Sequence, residues 1–220
     1  MKKILTLLVS ISLISLMAAP TVAVGDGHMS KTPAFWTWMV GTSPAGMTKL
    51  VRTKNGLTGQ VKTTGLTAGH AVTLWIMFYN NPENCGFYEG GTPGVCTDVD
   101  TGIPATGFDF HYAGGHIVND ATTTLTGHVR VGELSTSGWA EIGVPFATPL
   151  TNPMGAPVIL AVHSHGPAQR GRTLAAQMSS YTGGCGFPFL GDAAGFATGW
   201  QDVPDETGEC STIQLAFHNP

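Results

Sequence analysis

The segment His70 to Tyr79 constrains the fold more than any other stretch of this chain. Val72, Leu74, Ile76 and Phe78 alternate with Thr73, Trp75, Met77 and Tyr79, and strand side chains project to opposite faces in turn. Both faces are therefore substantially apolar, so this strand must be central and covered on both sides. A second run, Pro157 to Ala168, has the same character until it delivers His163 and His165 and stops at Gly166-Pro167. In it Ile159, Ala161, His163 and His165 share one face while Val158, Leu160, Val162 and Ser164 share the other. Proline supplies no ladder donor, so the imidazole pair is expected at a strand end beside a loop.

Strand patterns recur along the rest of the chain. An aromatic-rich segment, Phe35 to Val40, reads as an N-terminal strand, with His28 before it in a flexible stretch. Lys49 to Lys54 and Gln60 to Thr64 flank Asn55-Gly56, the two-residue signal of a hairpin. Phe108 to Val118, Thr123 to Val131, Trp139 to Phe146 and the alternating Ile213, Leu215 and Phe217 read as further strands, and Gly171 to Tyr181 as a short helix. Only 11% of residues are charged, against 30 Gly and 14 Pro, a composition suited to short strands and many turns. The expected fold is an all-β antiparallel sandwich with long disulfide-closed loops, one domain over residues 24–220.

Residues 1–23 read as a cleaved signal peptide: Lys2 and Lys3, an apolar Ile4 to Met17, then small residues at Thr21-Val22-Ala23. The apolar run is shorter than the roughly 20 residues of a membrane span, and Pro20 follows it. The mature chain is thus expected to be secreted or periplasmic, without a span. Its formal charge of −4 becomes more negative once Lys2 and Lys3 are removed, and the other basic residues are scattered, which argues against nucleic acid.

Cys85, Cys96, Cys185 and Cys210 lie in glycine-rich or polar loops of an exported chain, where oxidised pairing is the natural state. Three pairings are open; Cys85 with Cys96 and Cys185 with Cys210 is favoured, because each pair brackets one irregular insertion. A thiolate metal site is the rival, but no Cys-x-x-Cys spacing occurs.

The histidines carry the functional expectation. His163 and His165 have the spacing that makes two imidazoles converge, and His116, after Gly114-Gly115, and His128 are the candidate further ligands. Imidazole suits copper or zinc, and a catalytic ion takes about three protein ligands. The rival is that strand histidines simply hydrogen-bond to carbonyls or water. Ser164 points away from its flanking histidines, which makes it a poor nucleophile. Asp98 and Asp100, and the cluster Asp202, Asp205, Glu206 and Glu209, read as solvated acidic loops, with calcium as the alternative. Trp36 and Trp38 share a face and invite a carbohydrate-stacking reading, against an ordinary core role.

Several of these stretches carry resemblances. The segments 65–75 and 78–85, His163-Ser164-His165-Gly166-Pro167 and the Ile213 to His218 ending are similar to a family of uncharacterised secreted bacterial proteins, which implies no reaction. His163-Ser164-His165-Gly166-Pro167-Ala168 resembles the His-x-His-Gly-Pro-Ala signature of the CHRD domain and implies an extracytoplasmic β fold. The His-x-His pair with Gly114-Gly115-His116 and His128 to Leu134 is similar, more loosely, to the copper/zinc superoxide dismutase sandwich, although there the His-x-His strand precedes the loop histidines. The expected function is an exported β-sandwich that binds a small ligand or metal ion at the His163/His165 corner. A structural or adhesive surface protein without metal, and a copper- or zinc-dependent redox enzyme, are the alternatives.

Overall fold

The computed structural model describes residues 27–37, 43–141, 144–183 and 210–220. Eight antiparallel strands form one sheet in the order β5-β4-β7-β8-β1-β2-β3-β6. They are β1 (His28–Trp36), β2 (Pro44–Thr53), β3 (Gly56–Thr64), β4 (His70–Tyr79), β5 (Phe108–Ile117), β6 (Thr122–Arg130), β7 (Val158–Pro167) and β8 (Cys210–His218). Two short helices, α1 (Gly138–Glu141) and α2 (Gly171–Gln177), lie in the connections.

The sheet rolls until its two end strands meet, so the two layers of the sandwich are halves of one nearly closed barrel. Glycine makes that closure sterically possible. A Cβ on Gly127 of β6 would sit 1.7 Å from the Ala113 carbonyl oxygen of β5, and one on Gly114 would sit 2.9 Å from the Thr126 carbonyl oxygen. Ala113 is the extra residue where the β4–β5 register shifts between Leu74 and Trp75, and such a bulge bends a strand toward its new neighbour. Closing the sheet also removes exposed edges.

The barrel interior is apolar. Leu50, Leu57, Val61, Leu74, Ile76, Phe78, Leu125, Val129, Val158, Leu160, Val162 and Ala216 form one cluster. β3 faces β7 and β4 across it, since a Cβ on Gly59 would lie 2.7 Å from a Leu160 methyl and 3.4 Å from Ile76 Cδ1. A second cluster covers the outer face of β4, β5 and β7 and contains Trp75, Met77, Tyr79, Phe108, Phe110, Trp139, Ile159, Ala161 and Leu215. β4 is accordingly buried on both faces from Ala71 to Tyr79, as its sequence requires.

The covering comes from long connections held by buried polar side chains. Cys85 and Cys96 are bonded at 2.03 Å, as the loop composition suggested, and closing a loop of this size contributes about 3 kcal/mol on the chain-entropy model. Asp100, just beyond that loop, folds back onto it instead of into solvent: it is buried and accepts from the Gly86 and Thr97 amides, each at 2.8 Å. An acidic side chain turns inward here because orphaned amides of a tight turn need an acceptor. The pairing of Cys185 with Cys210, the acidic cluster 202–209, Trp38, Trp200 and the signal segment 1–23 fall on residues outside those described, the Cys210 side chain included.

Two expectations about elements are corrected. Of the expected strand Trp139 to Phe146, the described residues form none: residues 138–141 make a helical turn, with the buried Trp139 indole donating to the Phe108 carbonyl at 3.2 Å. His28 is not in a flexible lead-in but begins β1, opposite Arg52.

Candidate functional site

β7 carries His163 and His165 to its outer face, next to Thr73 of β4 and Thr212 of β8. As the spacing predicts, the rings lie side by side, with centroids 4.8 Å apart and planes at 73°. They are not at an open corner, however. His163 is 4% exposed and His165 fully buried, because residues 168–183 fold back over them after the turn at Gly166, whose φ is +71°.

His165 is held at both nitrogens. Nδ1 lies 2.8 Å from the Gly183 carbonyl, which can only accept, so Nδ1 carries a proton. Nε2 lies 2.9 Å from the Thr73 hydroxyl, which itself accepts the Trp75 indole N–H at 2.8 Å. The backbone of the same residue is also engaged, its carbonyl accepting from Gln177 Nε2 at 3.0 Å. His165 thus ties β4, α2 and the 181–183 turn to the end of β7.

His163 is less satisfied. Its Nδ1 lies 3.4 Å from the Thr212 hydroxyl, and its buried Nε2 has no hydrogen-bond partner. Tyr181 stacks on the ring at 4.5 Å and also packs edge-on against Trp75 and Phe110. Glu141 fixes this cover: its carboxylate accepts from the Tyr181 amide at 2.8 Å and from the Thr182 amide at 2.9 Å. Burial, and secondarily the neighbouring His165, hold the His163 imidazole well below its ordinary pKa and so neutral.

The other two histidines lie elsewhere. His116 pairs with Val72, an interior residue, and directly opposed residues share a face; it therefore points to the opposite side of the sheet from His163 and His165. His128 is exposed on the outer face of β6, where its Nε2 accepts from Arg130 Nε at 3.1 Å. The strand pair is thus brought together, and the set of four is not. Among the described residues, no three His, Cys, Asp or Glu side chains are grouped as a metal ion would require.

Two further polar centres escape a reading by periodicity. Asp109 and His111 of β5 are fully buried, and Asp109 accepts from Ser137 Oγ at 2.7 Å and from the Thr148 amide at 2.8 Å. Asp, His and Ser meet here, but the serine hydroxyl is bonded to the carboxylate and not to the imidazole, the reverse of a nucleophile's arrangement. The cluster pins residues 134–150 to the sheet. Its only signal in the sequence is a lone Asp between Phe108 and Phe110 in a strand. At the far end of the barrel, the buried Arg52 guanidinium donates to the Pro153, Ala156 and His218 carbonyls at 3.0, 2.6 and 3.0 Å. His218 beside it hydrogen-bonds Ser30 and Thr48, each at 2.8 Å, and its pKa is lowered to about 4 by burial and then by Arg52.

Set beside known proteins, the chain matches no family model, and no curated protein or solved structure matches it either.

Proposed function

We propose that this is an extracytoplasmic β protein acting as a structural or binding module, in which His163 and His165 serve as a buried latch that holds residues 168–183 against the barrel. The observation that carries this reading is the full engagement of His165, whose two ring nitrogens meet Gly183 and Thr73. An imidazole used this way anchors a loop. The location rests on the signal-like segment 1–23 and on the Cys85–Cys96 bond, which persists in an oxidising compartment. The CHRD-like segment, which contains both histidines, fits the same setting.

A second reading is favoured by one atom. His163 Nε2 is buried without a partner, and rotation of the Thr73 hydroxyl would expose His165 Nε2 to a shared copper or zinc ion. Metal content and melting temperature of tag-free protein, with and without Cu²⁺ or Zn²⁺ and in His163→Ala and His165→Ala, separate the two. The latch reading expects substoichiometric metal, an unshifted melting temperature on metal addition, and a loss of about 2 kcal/mol in His165→Ala from the orphaned Gly183 and Thr73 groups. Near-stoichiometric metal that raises the melting temperature, with both effects lost in either variant, would replace it by the metal reading.

A further inference from the structure

Gln214 is a polar side chain that the barrel interior encloses and leaves unanswered. It is 1% exposed, and neither its amide nitrogen nor its amide oxygen has a hydrogen-bond partner. Its place inside is set by the register: Gln214 lies opposite Val162 of β7 and Trp36 of β1, and both pack with the interior cluster. The register shift after Val162 makes Ile213 an extra residue, so Ile213 also packs inward and crowds the amide with apolar neighbours. Buried amides almost always find partners. One that lacks both a donor and an acceptor partner is complementary to a single planar edge with a carbonyl beside an N–H.

The surroundings suit such a guest. One step further toward the barrel end, His116, Val72, Ser164 and Ser211 lie side by side on the same inward face. His116 and Ser211 are half-buried, which places this row at the rim. Ser164 Oγ accepts from the Gly166 amide at 3.3 Å and keeps its own hydroxyl proton to donate. Trp36, also half-buried, lies opposite Gln214 across the β1–β8 pair. The buried cation, Arg52, is at the other end of the barrel and bonded to carbonyls; the inward-facing polar groups of the Gln214 end are amide, hydroxyl and imidazole, while its charged residues Asp120, Arg170 and Arg172 are exposed on the loops. Barrel mouths lined by apolar side chains with a few convergent polar groups are recurrent small-molecule sites.

We infer that this end of the barrel binds a small uncharged molecule carrying a primary amide, lactam or imide edge, read by Gln214 and packed against Trp36. The site lies on the opposite face of β7 from His163 and His165, so it stands or falls independently of the latch. The test uses acetamide, 2-pyrrolidinone and succinimide as probes against ¹⁵N-labelled protein. A saturable shift of the Gln214 side-chain amide and the Trp36 indole N–H is expected with at least one probe, with at least tenfold weaker binding in Gln214→Leu and no change in Thr124→Ala. Absence of any saturable shift at Gln214, shifts confined to other residues, or binding retained in a folded Gln214→Leu would overturn the assignment and leave only trapped water at the amide. Should Gln214→Leu not fold, the wild-type shift map decides alone.

Discussion

The two halves of this barrel use the same backbone architecture to opposite ends. In β5, β4, β7 and β8 the outer face is roofed by the segments 80–107, 131–157 and 168–183, and an aromatic cluster fills the space between. In β3 and β6 the outer face is bare: Thr58, Gln60, Lys62, Thr64, Thr122, Thr124, Thr126, His128 and Arg130 are all exposed. The covering decides what a histidine in a strand becomes. Under the roof His163 and His165 are both dry, His163 stacked beneath Tyr181 and His165 committed to Thr73 and Gly183; on the bare half, His128 faces water beside Arg130. Identical residue types with the same alternation acquire different chemistry from what lies above the sheet.

Removing the roof's main contact should have the largest effect on the contrast between the two halves. Trp75→Ala should cost roughly 3–5 kcal/mol, since Trp75 touches Phe110, Tyr112 and Tyr181 and donates to Thr73. Denaturant melts would measure it, and a loss under 1 kcal/mol would mean that the roof contributes little. Next in size is the pH dependence. His163 and His218 both have pKa values below the ordinary 6.5, so from about pH 6.5 downward the unfolded chain takes up protons that the folded chain refuses. Stability present above that pH should therefore fall with acidification, with His218 ceasing to contribute below about pH 4, and with a slope of up to about 1.4 kcal/mol per pH unit from His163 alone. Melting temperatures between pH 7.5 and 4 should show a flatter profile in His163→Phe; an unchanged profile would contradict a dry, neutral imidazole. The smallest effect belongs to the bare half. Thr124→Ala should stay within about 0.5 kcal/mol of wild type, and a larger loss would reveal that this face is covered after all.

Legibility in the sequence followed the same division. The bounds of β4 could be read to the residue, because an apolar run ended by Asn-Asn-Pro leaves a strand little freedom, whereas β7 continues through the Gly166-Pro167 expected to stop it, its last residue opposite His70. The convergence of His163 and His165 was legible too, since the two-residue period dictates it. What failed was the strand expected from Trp139, where a helical turn docks the indole onto the sheet instead. The four-histidine grouping failed for a related reason. A period places a residue on one side of its own strand, but the side on which His116 lies relative to β7 depends on the bulge at Ala113 and on the pairing of β5 with β4.

Antiparallel strands around one doubly buried centre, with a stapled loop, follow from the order of residues alone, because side-chain alternation, turn residues and cysteine placement act over short distances. Which faces are roofed, the closure of the sheet where Gly127 admits the Ala113 carbonyl, and the engagement of both His165 nitrogens arise in the folded chain. Those outcomes depend on partners brought together from distant parts of the chain, and hydrogen-bond commitment and desolvation are properties of that assembled neighbourhood.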